Sequence, residues 1–300
     1  MATRPWTDFF DEEFLSRLER LRLVAKYATS RSRAGARRTR RVGDGLEFAD
    51  HRAYAPGDDP RFIDWPYFAR MERLLLRLFH EHSEADVGIL LDCSASMAPG
   101  GRTEKFNSAR RAAAALAYVA MAGGERVTMA AFADELRPTI RTARSRGQIF
   151  RLLDRLAELR PGGPTKLLAC VEQFVRRREP VSTALLISDL LDCRDELGDA
   201  LARLKSACSS VCVLHTYSPP DAAPSLAGPL LLEQAETRGR LGLNVSDDVL
   251  SRYRSRWRHF AELCRRTCMS RGALYVPAPT DVPMDRGILA ALRQAGVLQG

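Results

Sequence analysis

The chain has 300 residues and a mass of 33.4 kDa, and its 45% of apolar side chains can bury a sizeable core in one large or two small domains. Its net charge of +9 is diffuse: +2 over residues 1–85, +2 over 86–200 and +5 over 201–300. All but four of the basic residues are arginine, a bias of composition rather than a phosphate-binding row, which argues against nucleic acid as a partner.

The longest apolar stretches, residues 112–124 and 183–188, are too short to span a bilayer, and residues 1–10 are polar and acidic, unlike a signal peptide. We therefore expect a cytoplasmic protein. The seven cysteines are scattered through apolar segments and are expected as small core residues in a reducing compartment. The pairs Cys208/Cys212 and Cys264/Cys268 have C-x-x-x-C spacing, not the C-x-x-C of most zinc sites.

Residues 8–28 place Phe14, Leu18, Leu21 and Val24 at helical spacing, with acids early and bases late as the helix dipole favours. Six arginines follow between Arg31 and Arg41 with few apolar anchors, which reads as an exposed basic linker. Together these make an N-terminal segment, 1–41.

Residues 43–70, GDGLEFADHRAYAPGDDPRFIDWPYFAR, are rich in turn formers. Arg52, Arg61 and Arg70 alternate with Asp58, Asp59 and Asp64, which suits a self-satisfied salt network. A partner-facing loop built on Arg52, Asp58, Asp59, Arg61, Asp64 and Trp65 is the alternative. Trp65, Tyr67 and Phe68 are expected to anchor the segment on the core. The period-two run Leu76, Leu78, His80 predicts a strand, so 42–85 forms a small β extension.

From Asp86 strands and helices alternate: strand 86–91, helix 103–122, strand 126–132 with 136–142 beside it, helices 147–159 and 165–177, strand 184–187, helix 195–207 and strand 210–215. A turn at 218–224, a hairpin of 230–236 and 241–245, helix 247–271, strand 273–276 and helix 284–295 complete the chain. Such alternation predicts an α/β domain over 86–300, a mostly parallel sheet with helices on both faces.

The stretch GILLDCSASM, residues 88–97, is an apolar strand that ends in one carboxylate and two hydroxyls, Asp92, Ser94 and Ser96. Thr165 follows a Gly-Gly-Pro loop at a helix start, and Asp189 directly follows the strand ALLIS. In an open parallel sheet such strand ends share one rim. Two carboxylates and three hydroxyls suit a small hard cation in octahedral oxygen geometry, magnesium or manganese. Neutral hydroxyl ligands leave the ion's charge undercompensated, which favours an additional anionic ligand such as a partner's Asp or Glu.

These residues resemble the metal-ion-dependent adhesion site of von Willebrand factor A domains. The upstream segment 43–70 looks like the signature of the family catalogued as domain of unknown function 58, and the two together cover roughly residues 40–300. The resemblance implies a Rossmann-like von Willebrand factor A fold and a metal held by Asp92, Ser94, Ser96, Thr165 and Asp189. It also implies a role beside a MoxR-type AAA+ ATPase in assembling or activating protein complexes. Longer members carry two transmembrane helices before the signature, whereas no such span is present here.

The expected function is thus a non-catalytic, metal-dependent protein-interaction module, since no histidine or cysteine pattern supplies a base or nucleophile beside the ion. The alternatives are a metal-dependent hydrolase using the same acidic rim, and nucleic-acid binding through Arg31 to Arg41.

Overall fold

The computed structural model describes residues 47–56, 58–80, 86–122, 124–142, 148–177 and 181–282, together with Ser16, which is helical. The expected N-terminal helix 8–28 (Ser16 apart), the arginine-rich linker and the C-terminal helix 284–295 lie outside the described residues. The chain divides into two compact units, Ser30–Glu84 and a larger one of Ala85–Gly300 with Met1–Thr29.

In the small unit, strand β1 (Glu47–Ala53) carries the chain to a 3-10 turn at Pro60–Phe62 and helix α1 (Trp65–Met71), and strand β2 (Leu75–His80) returns antiparallel to β1. Pro60 and Pro66 sit in the first turn of their helices, where the fixed φ is already helical and no amide is lost. Asp59 and Asp64 cap those turns through the amides of Arg61 and Tyr67. The strand expected near residue 76 is therefore real, but it pairs with the segment before it. Among the described side chains of this unit, Ile63 and Leu76 are buried. The expectation that Trp65 and Phe68 anchor this segment is corrected: they are 56% and 37% exposed, in a two-turn helix none of whose residues is buried.

In the large unit a six-stranded sheet has the order β10-β7-β6-β3-β4-β5, where β3 is Val87–Asp92, β4 Val127–Phe132, β5 Ile140–Arg141, β6 Thr183–Ser188, β7 Ser210–Tyr217 and β10 Leu274–Pro279. All neighbours are parallel except β5, which runs antiparallel to β4. Every residue of β3 and β4 is buried, as a strand covered on both faces requires.

Side chains alternate across β3. Ile89 and Leu91 join one core with α2 (Glu104–Ala122) and α3 (Gln148–Glu158). Leu90 joins the other with α4 (Leu167–Arg176), α5 (Arg194–Ala207) and the C-terminal part of α7 (Asp247–Ser270). The alanines of α2, from Ala109 to Ala117, let that helix lie close on the sheet. This is a mixed α/β fold with a mostly parallel central sheet and flanking helices.

From β3 the chain moves outward to β4 and β5, then crosses back to place β6, β7 and β10 on the other side. The carboxyl end of β3 therefore lies at a topological switch point, where the loops diverge and leave a crevice.

Between β7 and α7 the chain forms a short helix, α6 (Pro219–Ala222), where a plain turn was expected; a capping box between Ser218 and Asp221 closes it. The expected hairpin follows as β8 (Gly228–Glu233) and β9 (Arg240–Val245). All seven cysteines are buried, as small core residues are.

Candidate functional site

The rim at the carboxyl end of β3 is built by local hydrogen bonds that turn the chain immediately after each strand. Asp92, the last residue of β3, accepts from the Ser94 amide at 2.9 Å through Oδ1 and from the Ser188 hydroxyl at 2.5 Å through Oδ2. The first bond bends the chain into the 3-10 turn Ala95–Met97. Ser94 Oγ then lies 3.0 Å from Ser96 Oγ, and Ser96 Oγ donates to Asp189 Oδ1 at 3.2 Å. Four of the five residues expected to hold a metal are thus linked in one buried network.

The loop after β6 is strained to reach it. Leu190, fully buried, adopts a left-handed backbone with φ 58°, which is costly for a branched side chain. Its amide donates to Ser188 Oγ at 2.9 Å, and the next amide, Leu191, donates to Asp189 Oδ1 at 3.2 Å. Ser188 therefore fixes both Asp92 and the turn that presents Asp189.

Thr165 reaches the same rim on the 160–165 loop, which is tied to the first loop by Gly162 N to Cys93 O and Ala95 N to Gly163 O, both 2.9 Å. Gly163 holds φ 83°, a conformation that favours glycine. The Thr165 hydroxyl, however, donates to Glu236 Oε1 at 2.6 Å, and its amide donates to Glu236 Oε2 at 2.8 Å. Glu236 comes from the turn between β8 and β9.

Lys105, in the first turn of α2, places Nζ 2.8 Å from Asp189 Oδ2 and 3.3 Å from Asp221 Oδ2. Burial works against its charge, but the two carboxylates outweigh that and hold the ammonium above its ordinary pKa. Asp92 has no such partner among the described residues. Burial, and next the nearby charge of Asp189, push its pKa up to about 7. Asp192 and Glu236 are also raised, first by burial, with other rim carboxylates adding to the effect.

The rim thus carries Asp92, Asp189, Asp192, Asp221 and Glu236, of which Asp189 and Asp221 share the Lys105 ammonium. Among the described residues no group of three or more His, Cys, Asp or Glu side chains is disposed to hold a metal. A cation at this rim would need the hydroxyls of Ser94, Ser96 and Thr165 besides its carboxylates. That donor set, with one buried carboxylate lacking a cationic partner, fits a hard divalent ion.

The segment read as a possible partner loop is self-paired. Arg52 meets Asp58 at 2.7 Å, Arg61 meets Asp59 at 2.7 Å, and Asp64 joins His51 at 2.8 Å. Trp65 stays exposed.

Sequence reasoning missed Lys105, Ser188, Asp221 and Glu236. Ser188 had a signal, a hydroxyl ending the apolar run before Asp189. Lys105 had one too, as one of four lysines in an arginine-rich chain, placed just after the serine loop. Nothing local marks Asp221 or Glu236, which arrive through the fold.

Comparison with known proteins places the chain. The family described as "Protein of unknown function DUF58" matches residues 50–262. The chain belongs to this family. A curated relative, the uncharacterized protein Rv1480 of Mycobacterium tuberculosis, is 28% identical over 199 residues, 65% of this chain and 62% of the relative, so the match spans less than two thirds of that protein.

Three solved structures are similar at lower identity. BatB from Bacteroides thetaiotaomicron, a conserved hypothetical protein, is 15% identical with a TM-score of 0.44, over 72% of this chain and all of that one. An aerotolerance-related membrane protein from Bacteroides fragilis is 19% identical with a TM-score of 0.43, over 70% and 97%. A von Willebrand factor type A protein from Catenulispora acidiphila is 18% identical with a TM-score of 0.33, over 46% and 34%. The expectation of a cytoplasmic location is corrected by the second of these, which is described as a membrane protein. Among the described residues no helix is long and apolar enough to cross a membrane.

Proposed function

We propose that this family member is a non-catalytic interaction module of von Willebrand factor A type, whose rim holds magnesium or manganese and offers it to a carboxylate of a partner protein. Asp92, Ser94, Ser96, Thr165 and Asp189 would hold the ion. When bound it would supply an open coordination position for a further oxygen ligand, since the five protein groups leave one place of an octahedral ion free. One observation carries the reading: the network Ser94–Ser96–Asp189 closes beside Asp92, a buried carboxylate with no cationic partner among the described residues. The chain's own groups already do the positioning. Ser188 fixes Asp92, and Lys105 holds Asp189 in place while neutralising part of the charge.

The partner class we propose is a MoxR-type AAA+ ATPase acting on protein complexes, as the family resemblance implies. The test is calorimetric titration of the full chain with Mn2+ and Mg2+. Wild type is expected to bind, and Ser94→Ala/Ser96→Ala to lose binding with an unchanged circular dichroism spectrum. A wild-type protein that takes up neither ion at millimolar concentration overturns the reading. Capture of the purified ATPase that then proceeds equally in Mg2+ and in EDTA would remove the metal from the partner contact.

A further inference from the structure

We propose that the β8–β9 hairpin is an internal plug, whose Glu236 carboxylate occupies at Thr165 the place that an acidic segment of a partner takes on binding. The inference rests on the reading of the rim as a carboxylate-accepting site.

Glu236 uses both oxygens on one residue 71 positions earlier in the chain: Thr165 donates its hydroxyl to one and its amide to the other. This is a bidentate, charge-assisted contact made to the one expected metal-site hydroxyl that stands apart from the Ser94–Ser96–Asp189 network. The carboxylate lies half-buried among Asp189 and Asp192, a place of like charge. Such a position suits a group that a cation or a ligand site holds, rather than a surface tie.

The hairpin owes little to the core. Of its two strands only Val245 is buried, while Leu231 and Leu241 are more than 60% exposed. Its described polar ties to the rim are at the tip, Glu236 to Thr165 and Gln234 to Asp192. An element with few buried apolar contacts opens locally at low cost, so releasing these ties frees the hairpin without unfolding the sheet. The plug also defines its competitor. In Leu230-Leu231-Leu232-Glu233-Gln234-Ala235-Glu236 an acidic side chain follows an apolar run, and the partner segment should share that chemistry.

The experiment uses the full chain and, as probe, a fluorescein-labelled synthetic peptide with the sequence of residues 228–245, followed by fluorescence polarisation in Mn2+ and in EDTA. Glu236→Ala is expected to bind the peptide at least about tenfold more tightly than wild type, and Glu236→Gln to do so to a smaller extent. Thr165→Ala/Glu236→Ala should not show the gain. Amide hydrogen exchange across residues 228–245 should accelerate about tenfold in Glu236→Ala, with the sheet unchanged.

If Glu236→Ala neither binds the peptide more tightly nor exchanges faster, the plug is overturned, even where Mn2+ still binds through Ser94 and Ser96. If the gain appears equally in Mn2+ and in EDTA, the plug stands and the metal reading fails.

Discussion

Lys105 and Asp189 form an ion pair in which both side chains are almost wholly enclosed, 3% and 2% exposed, with Nζ 2.8 Å from Oδ2. Removing one member of such a pair leaves an uncompensated buried charge, a loss of about 3–5 kcal/mol. Lys105→Met keeps the stem's bulk and deletes the ammonium. Urea unfolding in EDTA should show a loss of about 3 kcal/mol. Saturating Mg2+ should recover part of it, because a second cation at the rim takes over the neutralisation. A variant as stable as wild type in EDTA would show that the rim does not need the lysine charge.

Stability should depend on pH through two buried groups, Asp92 and His215, and the half-buried Glu125, which do not all act in the same direction. Asp92 and Glu125 have pKa values raised to about 7, chiefly by burial, from ordinary values of 3.8 and 4.5. The folded state therefore binds more protons than the unfolded between about pH 4 and 7, and their terms reduce stability as pH rises through that window. His215 runs the other way. Burial among Tyr217, Trp257, Phe260 and Tyr275 lowers it from 6.5 to about 4, so its term adds stability as pH rises between those values.

The difference between wild type and Asp92→Asn isolates the first carboxylate. In EDTA the variant should be more stable than wild type at pH 8 and nearly equal to it at pH 4.5, by urea midpoint. Mg2+ should stabilise wild type at pH 8 and not at pH 4.5, since the ion must displace a proton from Asp92 at the lower pH. A variant less stable than wild type at both pH values would refute the assignment.

How far the sequence could be read depended on whether the signal was local. Burial on both faces leaves uninterrupted apolar runs, so β3, β4 and β6 were legible in residues 86–91, 126–132 and 184–187. Helices α2, α3, α4, α5 and α7 were legible as helical stretches, whereas the four-residue α6 is too short to carry a stripe. The serine loop and Asp189 were visible because they punctuate those runs. Lys105 is part of the same network; its rarity among arginines marks it, but nothing local marks its partner, which lies 84 residues away. The Thr165–Glu236 contact joins residues 71 apart across the hairpin and carries no local pattern. Trp65 misled for the opposite reason: aromatic content suggests burial, but among the described side chains of the small unit only Ile63 and Leu76 are buried.

Gly88 tests the packing that holds β3 under the rim. A Cβ placed there would meet Val181 Cγ1 at 2.8 Å and Phe174 Cζ at 2.9 Å, closer than carbon atoms pack. Gly88→Ala must shift one of these side chains or the strand, and overpacking of this kind costs about 1–3 kcal/mol. The unfolding free energy from urea titration should fall by that amount, with the slope unchanged. Because Gly88 is four residues below Asp92 on the strand, Mn2+ affinity should stay within about twofold of wild type, a difference well under 1 kcal/mol.

Asp64 joins two parts of the small unit: its Oδ1 accepts from the Tyr67 amide at 2.9 Å, and its Oδ2 meets His51 Nε2 at 2.8 Å. The first contact caps α1, and the second ties that helix start to β1. Asp64→Ala removes both, and loss of the cap alone is worth about 1 kcal/mol. Asp64→Asn keeps a capping oxygen but no longer brings a charge to His51. Amide exchange in residues 65–71 should therefore accelerate several-fold in the alanine variant and much less in the asparagine one. If both variants accelerate equally, the contact with His51 rather than the cap holds the helix. If neither does, Asp64 does not hold the helix start.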